Sequence, residues 1–151
     1  MPRIEQSVHI SASPAVTYKI AKNVEAFPEF MEDLQSLTVT ERSEDGLRTV
    51  SDWVGIIKAF KMKIRWTQED LWDDVALRDS FKMLRGDMDR MEGYWQFNQL
   101  EDGTTEFESV LDYEINVPMV GPMVKGLVKK LMTDNLQSTL DAIKRKAESS
   151  I

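Results

Sequence analysis

From Lys61 to Gln68 polar and apolar side chains alternate. Lys61, Lys63, Arg65 and Thr67 fall on one side, Met62, Ile64, Trp66 and Gln68 on the other. Successive side chains of a strand point to opposite faces, so this stretch predicts a half-buried strand with a basic outer face. RIEQSVHI, residues 3–10, alternates in the same way and predicts a first strand. Ser13 followed by Pro14 offers a capping hydroxyl and a proline at the first helical position, so a helix is expected to about Asn23. EAFPEFM, residues 25–31, predicts a second short helix. From Asp33 to Val117 the pattern is consecutive strands. Turns are expected at Glu44-Asp45-Gly46 and Glu101-Asp102-Gly103, and near Lys58-Ala59, Trp72-Asp73-Asp74 and Arg85-Gly86-Asp87. Connections this short predict an antiparallel meander. After Pro118 the period lengthens. Val120, Val124, Leu127, Leu131, Leu136, Leu140, Ile143 and Ala147 recur at three-to-five-residue spacing, the stripe of a long amphipathic helix. The expected fold is α+β in the order β-α-α-β-β-β-β-β-β-α, a curved seven-stranded antiparallel sheet on a long C-terminal helix, as one domain over residues 1–151.

The turns also predict registers. A three-residue loop at 101–103 pairs Phe97 with Phe107, Trp95 with Ser109, Gly93 with Leu111 and Met91 with Tyr113. The loop at 44–46 pairs Val39 with Ser51 and Leu37 with Trp53. A two-residue turn at Lys58-Ala59 pairs Trp53 with Ile64, Ser51 with Trp66 and Gly55 with Met62. Together they give one inner face that mixes large aromatics with small polar groups. Trp53, Met62, Ile64, Trp66, Phe81, Met83, Trp95, Phe97, Phe107 and Leu111 share it with Thr49, Ser51, Gly55, Gly93, Ser109 and Tyr113. Buried hydroxyls without partners cost free energy, so this mixture suits the wall of a ligand cavity. The alternative is a filled core in which Gly55 and Gly93 bend the sheet and the hydroxyls bond locally.

Composition removes several chemistries. The chain has no cysteine and one histidine, His9, which excludes disulfides, thiolate nucleophiles and cysteine- or histidine-rich metal sites. His9 falls on the polar side of the first strand. Neither a phosphate-binding glycine loop nor a cation-binding loop is present, so no metal or cofactor is expected. Asp52 falls on the outer face with Arg48. Glu69-Asp70 and Asp73-Asp74 read as solvated turn residues, and Trp72 as a turn residue. With 19 basic against 26 acidic residues the net charge is −7, and no nucleic-acid partner is expected. Lys61, Lys63 and Arg65 read as a solvated face that protects against edge pairing, or as a concentrated basic surface. The N-terminus lacks the basic-then-apolar layout of a signal peptide, which points to the cytoplasm.

Four stretches carry a family resemblance. Ile10-Ser11-Ala12-Ser13-Pro14 leads into a helix bearing Tyr18, and Glu25-Ala26-Phe27-Pro28-Glu29-Phe30 follows. Gly93-Tyr94-Trp95-Gln96-Phe97 precedes Asp102-Gly103-Thr104, and a long last helix contains Asn135-Leu136. In this order they resemble the START-related helix-grip (SRPBCC) superfamily, specifically its polyketide cyclase/dehydrase branch, close to coenzyme-Q-binding START-domain proteins. Thr17 departs from the aliphatic residue usual there. The resemblance implies a sheet gripping the last helix around an apolar cavity, without fixing one activity.

The residues expected to face a ligand are therefore Ser51, Trp53, Met62, Ile64, Trp66, Phe81 and Met83, with Trp95, Phe97, Ser109, Leu111 and Tyr113 from later strands and Val124 and Leu127 from the helix. Phe60, Met88, Met119, Val120 and Met123 form an expected portal, beside lysines that allow transient membrane contact. Three functions stay open. The protein binds or transfers a hydrophobic small molecule such as a lipid, quinone or polyketide. It is instead a polyketide aromatase/cyclase or dehydratase using Tyr113 and Ser109. Or it is a ribosome- or protein-interaction module. The oligomeric state is not fixed by the sequence.

Overall fold

The computed structural model describes residues 2–57, 61–115 and 122–149, with backbone alone for residues 62 and 122–124. Strand β1 (Arg3–Ile10) leads into helix α1 (Pro14–Lys22) and a 3-10 helix (Val24–Glu29). Strands β2 (Leu34–Arg42), β3 (Arg48–Ile57), β4 (Met62–Asp73), β5 (Arg78–Gly86), β6 (Arg90–Gln99) and β7 (Thr105–Glu114) follow, and helix α2 (Pro122–Glu148) comes last. The order of elements is the expected one. The second helix is a single short 3-10 segment, with Pro28 inside it.

Local chemistry explains where α1 begins. The Val16 amide donates to Ser13 Oγ at 3.3 Å, with Pro14 occupying the first helical position. Thr17 is fully buried, and its hydroxyl donates to the Ser13 carbonyl at 3.0 Å. That bond lets a polar residue stand where an aliphatic one is usual.

The seven strands form one antiparallel sheet in the order β1-β7-β6-β5-β4-β3-β2. The β6–β7 register is as expected: Met91 faces Tyr113, Gly93 faces Leu111, Trp95 faces Ser109 and Phe97 faces Phe107. Leu37 also faces Trp53 and Val39 faces Ser51, but by a different route. The turn after β2 is one residue longer than expected, closing on Ser43 and Arg48, and an irregularity between Val39 and Glu41 restores the pairing. The β3–β4 register is a correction. Trp53 pairs with Trp66, Ser51 with Gln68 and Gly55 with Ile64, two residues away from expectation. The expected turn at 58–59 lies outside the described residues. An even shift leaves every side chain on its predicted face.

One further expectation is overturned. Strand β4 continues through Asp73, so Trp72 is a core residue, edge-on to Tyr18 at 5.8 Å, and not a turn residue. The chain reverses afterwards, with Leu77 at φ 55. Lys63 and Arg65 are exposed on the stretch of β4 that pairs with β3 but runs past the end of β5, whose pairing begins at Trp66 opposite Gly86.

Helix α2 covers the edge strand β1. Gln6 Nε2 donates to the Thr133 carbonyl at 3.2 Å and to Gln137 Oε1 at 3.1 Å, Lys144 Nζ donates to the His9 carbonyl, and Glu148 accepts from the Ser11 amide at 2.9 Å. Leu140, Ile143 and Ala147 on the C-terminal half of α2 are fully buried with Ile10, Phe27 and Phe107. Burying such side chains contributes roughly 1.5–3 kcal/mol each. The N-terminal half packs less closely: Lys125, Gly126, Leu127, Lys129 and Lys130 are exposed.

Candidate functional site: a cavity between sheet and helix

An apolar cavity of about 160 Å³ lies where α2 stands off from the curved sheet. Strands contribute Trp53, Gly55, Ile57, Ile64, Trp66, Gln68, Phe81, Met91, Trp95 and Leu111. Met31, Asp33 and Leu34 close one side, Met88 another, and Met132, Asn135, Leu136, Ser138 and Thr139 of α2 form the lid. The volume matches the ~150 Å³ of an apolar engineered cavity that stays dry and admits benzene. The enclosed part therefore accommodates about one ring.

Trp53 and Trp66 dominate one wall. They are cross-strand partners and stack with centroids 5.5 Å apart and planes 19° apart. Gly55 makes this possible, because a Cβ there would lie 3.3 Å from Trp66 Cζ3. Gly93 serves a different purpose. A Cβ there would lie 2.0 Å from the Val110 carbonyl oxygen, so glycine lets β6 and β7 approach.

Beneath the aromatics runs a polar ladder. Trp53 Nε1 donates to Ser51 Oγ at 2.8 Å, and Trp72 Nε1 reaches Thr49 Oγ1 at 3.4 Å. The inward hydroxyls of Ser51 and Thr49 thus serve neighbouring indoles. Trp66 Nε1 donates to Gln68 Oε1 at 2.9 Å, and Gln68 Nε2 donates to Asp70 at 2.9 and 3.2 Å. Gln68 is consequently fixed at both ends. Asp70 in turn is hydrogen-bonded to Asp79.

Asp70 and Asp79 are each 1% exposed, which corrects the expectation that the Glu69-Asp70 pair is solvated. Burial raises both carboxyls above the ordinary range. Asp79 rises well above it because Asp70 adds like-charge repulsion and a hydrogen bond that favours the protonated form. For Asp70, bonds from Asp79 and Gln68 partly offset burial. Both carboxyls therefore hold their protons to higher pH than a solvated acid, Asp79 more strongly than Asp70.

Of the residues expected to face a ligand, the structure gathers Trp53, Ile64, Trp66, Phe81, Trp95 and Leu111 around the cavity. Ser51, Phe97, Ser109 and Tyr113 are buried and Met83 half-buried on the inner side, yet none of them lines it. Burial pushes the Tyr113 phenol up. Leu127, expected to face inward, is 43% exposed, because the helix register turns Met132, Leu136 and Thr139 inward instead. Met88 is buried in the wall. The portal residues Phe60, Met119 and Val120, and the side chains of Met62, Met123 and Val124, lie outside the described residues. His9 is exposed, paired with Thr104 Oγ1 at 2.9 Å. Asp52 is exposed on the outer face, accepting from Thr67 Oγ1.

The wall residues missed from sequence have different origins. Gln68, and Asp70 behind it, are legible in principle, because the inward parity of Trp66 continues through them to Trp72. Met31, Asp33 and the lid residues of α2 carry no such signal.

Among the described residues no group of three or more acidic or histidine side chains is placed to hold a metal ion. No described helix is long and apolar enough to cross a membrane.

Residues 10–144 match the model of the family described as polyketide cyclase / dehydrase and lipid transport. The chain belongs to this family. Among solved structures, the family member is similar to TTHA0849 from Thermus thermophilus, at 35% identity over 99% of both chains with a TM-score of 0.90. It shares the fold of a START superfamily protein from Mycobacterium smegmatis, at 20% identity over 99% of both chains and a TM-score of 0.83. The Zhui aromatase/cyclase from Streptomyces sp. R1128 aligns at 14% identity over 97% of this chain and 93% of that one, with a TM-score of 0.86. No curated protein matches in sequence. The chain thus has the START and cyclase-like fold, whose members differ in activity.

Proposed function

We propose that this protein binds, and in that bound form carries, a hydrophobic small molecule in the cavity between sheet and α2, as one ligand-binding domain. The observation that supports this is the unfilled apolar space itself, walled by the Trp53–Trp66 stack and by Met31, Met88, Met91 and Met132. Close-packed interiors leave few voids larger than a water molecule, so a space of this size invites an occupant. Methionine walls adjust to varied apolar shapes. The net charge of −7 argues against a nucleic-acid partner. The cyclase or dehydratase alternative would draw on Tyr113 and Ser109, which do not line the cavity.

Native mass spectrometry of the purified protein, with organic extraction of anything retained, tests the proposal. A co-purifying apolar molecule released by denaturation is the expected result. A protein that purifies empty and takes up no uncharged apolar compound would overturn it.

A further inference from the structure

The lid of the cavity is not apolar throughout. Met132, Asn135, Leu136 and Thr139 line the space, and their three- and four-residue spacing puts them on one face of α2, with Ser138 beside them. Other polar side chains on this stretch are committed elsewhere. Thr133 Oγ1 donates to the Lys129 carbonyl at 2.7 Å, and Thr139 Oγ1 to the Asn135 carbonyl at 3.2 Å. Asp134 pairs with Lys130 at 2.9 Å, and Gln137 bonds both Gln6 and Asp141. The Asn135 carboxamide and the Ser138 hydroxyl are half-buried and have no hydrogen-bond partner among the described residues.

A carboxamide against an apolar space is costly unless something bonds it, and an aliphatic side chain would serve a merely structural position better. Asn135 offers N–H donors and a carbonyl acceptor, and the Ser138 hydroxyl both donates and accepts. Three residues apart on a helix, the two are neighbours and can grip one group together. Ser138 also has a second setting. It lines an open polar cleft with Glu32, Asp134, Gln137, Asp141 and Arg145, so the apolar cavity and the cleft adjoin at this residue. The polar pair thus stands where the cavity meets the cleft, while the Trp53–Trp66 stack forms the sheet-side wall.

Building on the proposed binding function, we infer that the ligand is a hydroxylated ring compound: its apolar ring lies against Trp53 and Trp66, and its hydroxyl is held by Asn135 and Ser138 at the junction with the cleft. A hydroxyl donates and accepts at once, and a carboxamide beside a second hydroxyl meets both needs. Asn135 and Ser138 are then the residues that orient the ligand, with its polar end toward the cleft and its apolar end in the enclosed space.

Two isosteres make the test, 4-methylphenol and 1,4-dimethylbenzene, which differ by a methyl group in place of the hydroxyl. Isothermal titration calorimetry compares both on the natural protein, on Asn135→Leu and on Ser138→Ala. Each substitution is expected to weaken 4-methylphenol about three- to tenfold, the worth of one hydrogen bond, and to leave 1,4-dimethylbenzene within about twofold. Retained binding of the hydrocarbon shows that a variant is folded and its cavity intact. Affinity for 4-methylphenol that stays within about twofold in both variants, or an equal loss for the two compounds, would overturn the polar anchor while leaving the cavity as a binding site. A natural protein that binds the hydrocarbon and not the phenol would overturn it equally. Binding of neither compound to the natural protein would count against the proposed function itself, and the inference would fall with it.

Discussion

Asp79→Asn isolates the energetic consequence of the buried acid pair. In the folded protein Asp79 keeps its proton to well above the ordinary value of 3.8, because it is buried and faces Asp70, while in the unfolded chain it ionises near that value. Between those two values the folded state binds a proton that the unfolded state does not. Asp79's contribution to stability is therefore most favourable below 3.8 and declines as pH rises, by about 1.4 kcal/mol per pH unit until the folded pair ionises. Asparagine carries a permanent N–H where protonated Asp79 has its O–H, so it can donate to Asp70 at every pH. The stability of the variant relative to the natural protein should therefore rise with pH above the ordinary carboxylate range. Other carboxylates act in the opposite direction. Asp45, Asp74, Asp102, Asp112 and Glu148 are held below their ordinary values by hydrogen bonds, and their contributions are lost as pH falls. They are common to both proteins and cancel in the difference. Urea denaturation at pH 5, 6 and 7, followed by tryptophan fluorescence, measures it. A difference that is flat with pH, or that falls toward pH 7, would refute a protonated Asp79 in the folded state.

Two glycines predict opposite outcomes. Gly126→Ala, on the exposed stretch of α2 where a Cβ meets nothing within 4 Å, should stabilise by about 1 kcal/mol in thermal denaturation. Gly93→Ala drives a Cβ against the Val110 carbonyl and should cost at least about 3 kcal/mol or prevent folding, read as loss of soluble, cooperatively unfolding protein. Tyr18→Phe removes the 2.7 Å bond from the phenol to Asp74 Oδ1 and should lower stability by about 1 kcal/mol, measured by urea denaturation. Tyr113→Phe should leave the affinity for a co-purifying apolar ligand unchanged within about twofold in native mass spectrometry, because Tyr113 does not line the cavity. A large loss there would place the phenol at the ligand.

Much of this fold is legible in the alternation of the chain. The β6–β7 pairing follows from one glycine turn at 101–103, since a hairpin loop fixes every pair behind it. The inward facing of Trp53, Ile64 and Trp66 survived a two-residue error in the β3–β4 register, because facing depends only on parity. That parity also brought six of the expected residues to the cavity wall. It could not distinguish wall from filled core: Phe97, Ser109 and Tyr113 share the inner side with Trp95 and Leu111 but lie away from the space. Strand direction says which way a side chain points and carries no information on the distance to whatever faces it.

The sequence by itself determined the element order, the seven strands, the long closing helix and the inner face, because these rest on periodicity, caps and turn residues that act over a few positions. Only the tertiary structure decided where the helix stands off from the sheet, and hence that Met132, Leu136 and Thr139 form the lid while Leu127 faces solvent. It also decided that Asp70 and Asp79, nine residues apart on neighbouring strands, are buried together, which raises both carboxyls above the ordinary range. Ionisation depends on burial and on distances between charges, and both are properties of the packed whole.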